Sequence, residues 1–485
     1  MRIYFLGIGG TAMGNVAILL KKQGYSVMGS DGELYPPMSQ ILESEGTECY
    51  SGFDPERLKA LKPDLVVVGN AISRGNSELE WLLNSRAIPT VSLPQLIREH
   101  LLLEKESLVI TGTHGKTTTA SIAAFLLGEN KADPSWLIGG VPRTLSSGAH
   151  LGSGAHFVIE GDEYDSAFFD KRSKFIHYRP DIVAINNLEM DHADIFRDLV
   201  DLQRSFSHLI KLIPQRGFLI INGEDPHIEA ILESAWCPIL RVGTGAENDL
   251  IISDFIEAPS GSSFKLSFRG KLWAEVEWSL CGFYNARNAA IAALTVGIAL
   301  NANSPTQMDL TCLKRFQGVK RRQEKLFQNK HYLIFEDFAH HPTAIKETLN
   351  SFRAQYPEHQ IIACFEPRSN TARTQLFQSE FTDALSVADQ VLLGALIDKR
   401  SAKVREGGVS SSRSSSLDRK KMALDLQERG TGASFFEKNH DLLESLIEQL
   451  ESVKGVPTAT VIVFFSNGSF GGIMKKLALV LASFD

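Results

Sequence analysis

Residues 108–127 read L-V-I-T-G-T-H-G-K-T-T-T-A-S-I-A-A-F-L-L. An apolar, β-branched run over 108–111 stops at Gly112. A short loop of Thr113, His114 and Gly115 follows, and Lys116 with three threonines then opens an Ala/Ile/Leu pattern of helical period. Strand, glycine turn and helix in that order aim backbone N–H groups and the positive end of a helix at a phosphate. The two glycines supply backbone torsions that other residues resist. Lys116 brings a point charge to the β- and γ-phosphates, and the Thr117 hydroxyl is placed to hold Mg2+. The general phosphate-loop pattern asks for one more glycine at position 110, where the chain has isoleucine, so the strict match is only G-x-x-G-K-T. The flanking strand and helix carry the reading of a nucleoside-triphosphate site; a glycine turn with a surface lysine is the plain alternative.

A chain of 485 residues exceeds one ordinary core, so about three domains are expected. With 43% hydrophobic and 22% charged residues it reads as globular and soluble. A net charge of −7 argues against non-specific nucleic-acid binding, which needs a basic face. The five cysteines are far apart with no C-x-x-C pair, which points away from metal clusters and disulfide frameworks and towards a reducing compartment. No run is apolar over the roughly 18 residues of a membrane span, and the start lacks the pattern of an export signal. The cytoplasm is the expected location.

The chain opens with a buried strand over 2–6, then Gly7-Ile8-Gly9-Gly10-Thr11-Ala12-Met13-Gly14, a helix expected over 15–23, and a second strand over 25–29 ending at Ser30-Asp31. This satisfies G-x-G-x-x-A with an acid at Asp31, the usual sign of a nicotinamide dinucleotide. Glycines at a helix N-terminus accept any diphosphate, a UDP-sugar included, so a dehydrogenase and a sugar-nucleotide enzyme both stay open. Further strands over 64–69, ending at Asn70-Ala71-Ile72-Ser73, and 89–91 close this first domain near 104–106.

Beyond the phosphate loop, strands over 156–159 and 182–185 end in Glu160-Gly161-Asp162-Glu163-Tyr164-Asp165 and in Asn186-Asn187-Leu188-Glu189-Met190-Asp191-His192. In a parallel sheet the C-terminal strand edge is where ligands sit, and a carboxylate there can hold the cation a nucleotide carries. Cys281-Gly282-Phe283-Tyr284-Asn285-Ala286-Arg287-Asn288 opens an alanine-rich helix, with two amides three positions apart on one face, suited to reading adenine or to capping. A basic loop, Lys320-Arg321-Arg322, marks a junction near 320. After it, strands over 332–335, 361–365, 390–393 and 460–465 predict a second open parallel sheet. Serines over 410–416 read as a mobile loop.

In this order the pieces resemble the ATP-dependent Mur ligases of peptidoglycan synthesis. The resemblance rests on G-I-G-G-T-A-M, G-T-H-G-K-T-T, N-N-L-E-M-D-H, G-F-Y-N-A-R-N, F-Q-G-V-K-R-R and E-D-F-A-H-H-P, and covers essentially the whole chain. G-T-H-G-K-T-T is similar to that family's own phosphate loop, which removes the difficulty at Ile110. The resemblance implies an α/β, three-domain architecture: a Rossmann-like UDP-sugar-binding domain over 1–105, a central P-loop ATPase-like domain over 106–318, and a Rossmann-like C-terminal amino-acid or peptide-binding domain over 319–485.

Roles follow from the same resemblance. ATP, a co-substrate, is implied to meet Gly112, Thr113, His114, Gly115, Lys116, Thr117, Asn285, Asn288, Arg322, Asp337 and His340. Mg2+ is implied at Thr117 and Glu160, with His192 at a second metal. Lys116, His192 and Arg322 form the implied catalytic group. The UDP-sugar falls to Gly7, Ile8, Gly9, Gly10, Thr11, Ala12, Met13, Asp31 and Ser73. Arg368, at a strand end in the third domain, is a candidate clamp for a peptide carboxylate. The carbamylated lysine of several family members is not carried over, since no lysine lies between His192 and Lys211.

Three features depart from the alanine-adding members: Glu163-Tyr164-Asp165, an insertion over 168–180, and Ser466-Asn467-Gly468-Ser469-Phe470-Gly471-Gly472. These resemble the recycling members, which join L-alanyl-γ-D-glutamyl-meso-diaminopimelate, a murein tripeptide, to UDP-N-acetylmuramate; alanine addition is the alternative. The family chemistry is carboxylate activation through an acyl phosphate, which calls for positioning and charge neutralisation and for closure against water.

Overall fold

The computed structural model describes residues 1–396, 415–452 and 459–483. Most of the serine tract, 410–414, lies outside them, while Ser415 and Ser416 run antiparallel to Thr374 and Gln375. Among the described residues the strands form three large sheets and one small hairpin.

The first sheet has β1 (Arg2–Leu6), β2 (Ser26–Asp31), β3 (Glu48–Ser51), β4 (Leu65–Val68) and β5 (Thr90–Ser92), all parallel in the order 3-2-1-4-5. Side chains of β1 alternate: Ile3 and Phe5 face one core, Tyr4 and Leu6 the other, so the sheet is covered on both sides. The helix expected over 15–23 begins earlier, spanning Thr11–Lys22. Gly14 is therefore inside the helix, where an added Cβ would run into the Met38 side chain. That glycine serves close packing and is not part of the loop.

The second sheet carries β6 (Glu106–Thr111), β7 (Ser135–Leu137), β8 (Ala149–His150), β9 (His156–Gly161), then β12 (Ile182–Ile185), β13 (Phe218–Asn222), β14 (Ile239–Gly243), β15 (Leu250–Ala258), β16 (Gly261–Phe268) and β17 (Lys271–Trp278); β10 (Asp165–Ala167) and β11 (Asp170–Ser173) form the hairpin. The spatial order is 17-16-15-14-13-12-6-9-7-8. β6 lies between β12 and β9, parallel to both, so the ends of three neighbouring strands open on one edge. β15, β16 and β17 form an antiparallel extension that the sequence reading did not anticipate. The insertion over 168–180 becomes part of the hairpin and the short helix Lys174–His177. Phe168 at its tip packs against the first sheet's outer core.

The third sheet is β18 (Glu324–Gln328), β19 (Tyr332–Asp337), β20 (Gln360–Phe365), β21 (Gln390–Leu393), β22 (Gly432–Phe435) and β23 (Thr460–Phe465), in the order 18-19-23-20-21-22. The expectation of an open parallel sheet needs one correction: β18 is antiparallel to β19 and makes the sheet mixed. One apolar cluster runs from Ile3 and Phe5 through Leu96 and Ile97 to Phe175 and Val183, joining the first two sheets in a shared core. The third sheet keeps separate cores on its two faces.

Candidate active site

The strand β6 ends at Thr111, fully buried like Ile110 before it, so position 110 belongs to the packed strand and the loop begins only at Gly112. Gly112 and Gly115 have φ of 126° and 79°, where a side chain is strained. Their missing Cβ atoms face inward as well. At Gly112 a Cβ would meet Asn187 O at 2.9 Å, and at Gly115 it would meet Asn288 Oδ1 at 2.5 Å and Asn186 Nδ2 at 2.6 Å. The glycines thus let the loop sink onto the end of β12. Hydrogen bonds complete the seat: the backbone N–H groups of Thr113 and His114 donate to Asn187 O (3.1 Å) and Oδ1 (2.7 Å), and Thr113 Oγ1 both donates to Glu189 O and accepts from Glu189 N, each at 2.9 Å.

Lys116 opens the helix Lys116–Glu129 and folds back over the loop, donating to Gly112 O at 2.7 Å and to the Glu163 oxygens at 2.9 and 3.1 Å. Glu163 also faces His192 Nε2 at 3.1 Å. Burial by itself raises the Glu163 carboxyl, but the Lys116 charge and the His192 contact outweigh it and hold the group down to about 2. His192 sits at φ 52°, an uncommon torsion for a side-chain-bearing residue, and burial opposes its protonation while Glu163 and Asp191 raise it above the ordinary imidazole range.

Thr117 Oγ1 donates to Glu160 Oε2 at 3.2 Å, and Gly139 N donates to Glu160 Oε1 at 2.9 Å. Burial, with the charge of Asp162 next to it, pushes the Glu160 carboxyl up to about 7. A hydroxyl and a crowded carboxylate make a hard oxygen donor set beside the loop, and that chemistry suits Mg2+. The imidazole of His192 is a softer donor directed at Glu163.

Asn285 and Asn288 are buried in the first turn of the helix Phe283–Asn301. Asn285 Nδ2 donates to Cys281 O at 2.7 Å, and Asn288 Oδ1 accepts from Asn186 Nδ2 at 3.2 Å, directly under Gly115. From the third sheet, Asp337 at the end of β19 is buried and accepts from the backbone N–H groups of Gln323 (2.7 Å) and Ala339 (2.8 Å). Burial raises its carboxyl, opposed chiefly by the Arg322 charge. The Arg322 guanidinium lies 4.9 Å from the Phe338 ring centre. His340 Nε2 is 3.9 Å from Asp191 Oδ2, which brings His340 to the 186–192 loop, while the contacts of Asp337 and Arg322 given above lie within the third domain.

Two further groups are separate. In the first sheet Gly7 has φ 94°, Gly9 N donates to Asp31 Oδ2 at 2.8 Å, and Gly10 precedes the helix of Thr11, Ala12 and Met13 without a side-chain cap; Ile8 is buried. Ser73 lies in the loop after β4, next to Ile72, which is in reach of a Cβ at Gly7. Arg368, after β20, lies against the Gly468 backbone, 3.9 Å from the buried Glu366.

Three family models match the chain: "Mur ligase family, catalytic domain" over residues 2–104, "Mur ligase middle domain" over 110–296, and "Mur ligase, glutamate ligase domain" over 321–467. Over 486 residues the chain is 37% identical to the UDP-N-acetylmuramate--L-alanyl-gamma-D-glutamyl-meso-2,6-diaminoheptandioate ligase of Escherichia coli (strain K12), covering 98% of this chain and 97% of that one. The chain belongs to the Mur ligase family. A crystal structure of a murein peptide ligase from Psychrobacter arcticus matches this Mur ligase with a TM-score of 0.68 at 32% identity, over 99% of this chain and 98% of that one. The UDP-N-acetylmuramate--L-alanine ligase of Dictyoglomus turgidum is 33% identical over 394 residues, 81% of each chain.

Sequence reasoning gave no role in this Mur ligase to Glu163, Asn186, Glu189 or Lys174. Glu163 was visible only as one acid among several, and its pairing with Lys116 depends on how β9 ends beside β6. Lys174, buried, donates to Asp162 at 3.1 Å with its ammonium 4.1 Å from the Tyr164 ring centre; the insertion brings it there from the far side of a hairpin. Among the described residues no helix is long and apolar enough to cross a membrane.

Proposed function

We propose that this Mur ligase joins L-alanyl-γ-D-glutamyl-meso-diaminopimelate to UDP-N-acetylmuramate at the expense of ATP. The observation that carries the reading is the identity at nearly full length: 37% over 98% of the chain to a relative named for that reaction, against 29% over 99% and 33% over 81% for two named for alanine addition. In the reaction the muramyl carboxylate oxygen attacks the γ-phosphorus and the bond to ADP breaks, leaving an acyl phosphate. The alanyl nitrogen then attacks the acyl carbon, phosphate departs and the nitrogen loses a proton.

Lys116 meets the phosphates as a fixed cation, oriented by Glu163, whose other contact orients His192. Thr117 and Glu160 hold Mg2+, which supplies further neutralisation of phosphate charge. Arg322 approaches from the third domain, beside Asp337. The loop after β1, with Asp31, holds the diphosphate of the sugar nucleotide, and Arg368 holds a carboxylate of the peptide. The domain limits are taken as 1–105, 106–318 and 319–485.

A substrate panel tests this. With ATP, Mg2+ and UDP-N-acetylmuramate, amide formation is expected to be faster with the tripeptide than with free L-alanine. Faster turnover with L-alanine overturns the assignment.

A further inference from the structure

His114 of the phosphate loop, Glu189 after β12 and His341 of the third domain bring one ligand atom each to a common point, all three lying within 4.8 Å of one another. His114 Nε2 is 3.3 Å and His341 Nδ1 3.2 Å from the same oxygen, Glu189 Oε2, and the two rings are tilted by 44° with centres 4.5 Å apart. A tetrahedral zinc site with bonds of about 2.0–2.1 Å has its ligand atoms about 3.3 Å apart. Two of the three separations already have that value.

The hydrogen bonds of the His341 ring give a second reason. His341 Nε2 lies 3.2 Å from Met190 O, and a carbonyl only accepts, so Nε2 carries the hydrogen. Nδ1 accepts weakly from Thr343 N at 3.4 Å, so it carries the lone pair, and it faces the Glu189 oxygen, another electron-rich atom. A dication seated between two such atoms draws on both lone pairs. An imidazole whose remote nitrogen donates to a backbone carbonyl while the near one faces a carboxylate is the usual support of a metal-bound histidine.

We propose that His114, Glu189 and His341 form a binding site for a borderline transition dication of the zinc type, separate from the Mg2+ position at Thr117 and Glu160. Two imidazoles and one carboxylate suit zinc, cobalt or nickel and are poor ligands for magnesium. The fourth position is left for water or another oxygen. A bound ion ties the phosphate loop to the first turn of the helix Pro342–Gln355, linking the central and third domains at one atom.

Cobalt(II) titration of the full chain in excess Mg2+ tests the site without reference to ligation. The expected result is the strong visible absorption of four-coordinate cobalt saturating at one equivalent, displaced by Zn2+, and reduced at least tenfold in Glu189→Gln and in His341→Ala. His341 caps a helix, so Glu189→Gln, which preserves shape, decides the matter if the histidine variant does not fold. Absence of the bands in the unaltered chain, or bands of equal strength in Glu189→Gln, overturns the proposal. Either result leaves the ligase reading untouched, because no substrate is present.

Discussion

The Lys116 ammonium is tied to the Gly112 carbonyl and to both Glu163 oxygens. A phosphate arriving at the loop therefore exchanges with an existing anionic partner, and the cation's position is set in advance by β6, β9 and the loop between strand and helix. Preorganised charge of this kind carries most of the rate in phosphoryl transfer. Lys116→Ala is expected to lower kcat for ADP release by at least ~100-fold with the fold retained, since His192 remains as a partner for Glu163. Near-normal turnover in that variant removes Lys116 from the mechanism. The lysine was legible from its place after Gly115, because phosphate loops fix it by spacing along the chain. Glu163 was not, because its meaning comes from a strand neighbour 47 positions away. The two asparagines of the alanine-rich helix show the same limit. Their spacing foretells a shared face, but only the fold shows Asn288 bonded to Asn186 beneath the glycine that precedes Lys116.

Whole elements were legible where apolar runs met glycine turns. The strands β1, β6, β12, β19, β20 and β23 coincide with uninterrupted buried runs, as central parallel strands must. The extension of β15, β16 and β17 went unseen because its signal is alternation: Phe264, Leu266, Val276 and Trp278 point inward between Lys265, Ser267, Glu275 and Glu277. The helix Ser77–Ser85 hides a different kind of surprise. Glu78 in its first turn is fully buried and receives Tyr4 Oη (2.9 Å), Ser30 Oγ (2.6 Å), Asp54 N (3.0 Å) and Arg57 Nη2 (2.8 Å). One carboxylate thus fastens β1, β2 and two helices on the outer face of the first sheet. Removing it leaves two hydroxyls and the Asp54 N–H without this acceptor and the Arg57 guanidinium with the Gly52 carbonyl in place of a counter-charge. Glu78→Ala is expected to destabilise the first domain by about 3–5 kcal/mol, read from its urea midpoint. A change within about 0.5 kcal/mol would mean that water replaces the carboxylate and that the knot is not structural.

At the scale of the molecule the three sheets are not equivalent. The first two share one apolar cluster, whereas the third, with its own cores, meets the central domain largely through polar contacts. Ala193 N donates to Thr371 Oγ1 at 3.3 Å, Asn370 Nδ2 to Asp194 Oδ2 at 2.8 Å, and Gln323 Nε2 to Tyr284 Oη at 2.6 Å. Contacts of this type are each worth about 1 kcal/mol and exchange readily with water, which suits an interface that opens and closes. An acyl phosphate is hydrolysed wherever water reaches it, so closure governs how much of the ATP consumed ends as amide. Loosening the seam without touching the phosphate loop should therefore uncouple the reaction. In Asn370→Ala combined with Thr371→Ala, the ratio of ADP released to amide formed is expected to rise above one-to-one, at least about twofold, for the loss of two contacts and about 2 kcal/mol of closure. Initial rates of both products, measured in the same reaction, read this directly. A ratio that stays at one while both rates fall together would place these residues in binding the peptide, and a ratio and rates that do not change would mean that the remaining contacts, Gln323–Tyr284 and those of His340 and His341 among them, hold the seam without this pair.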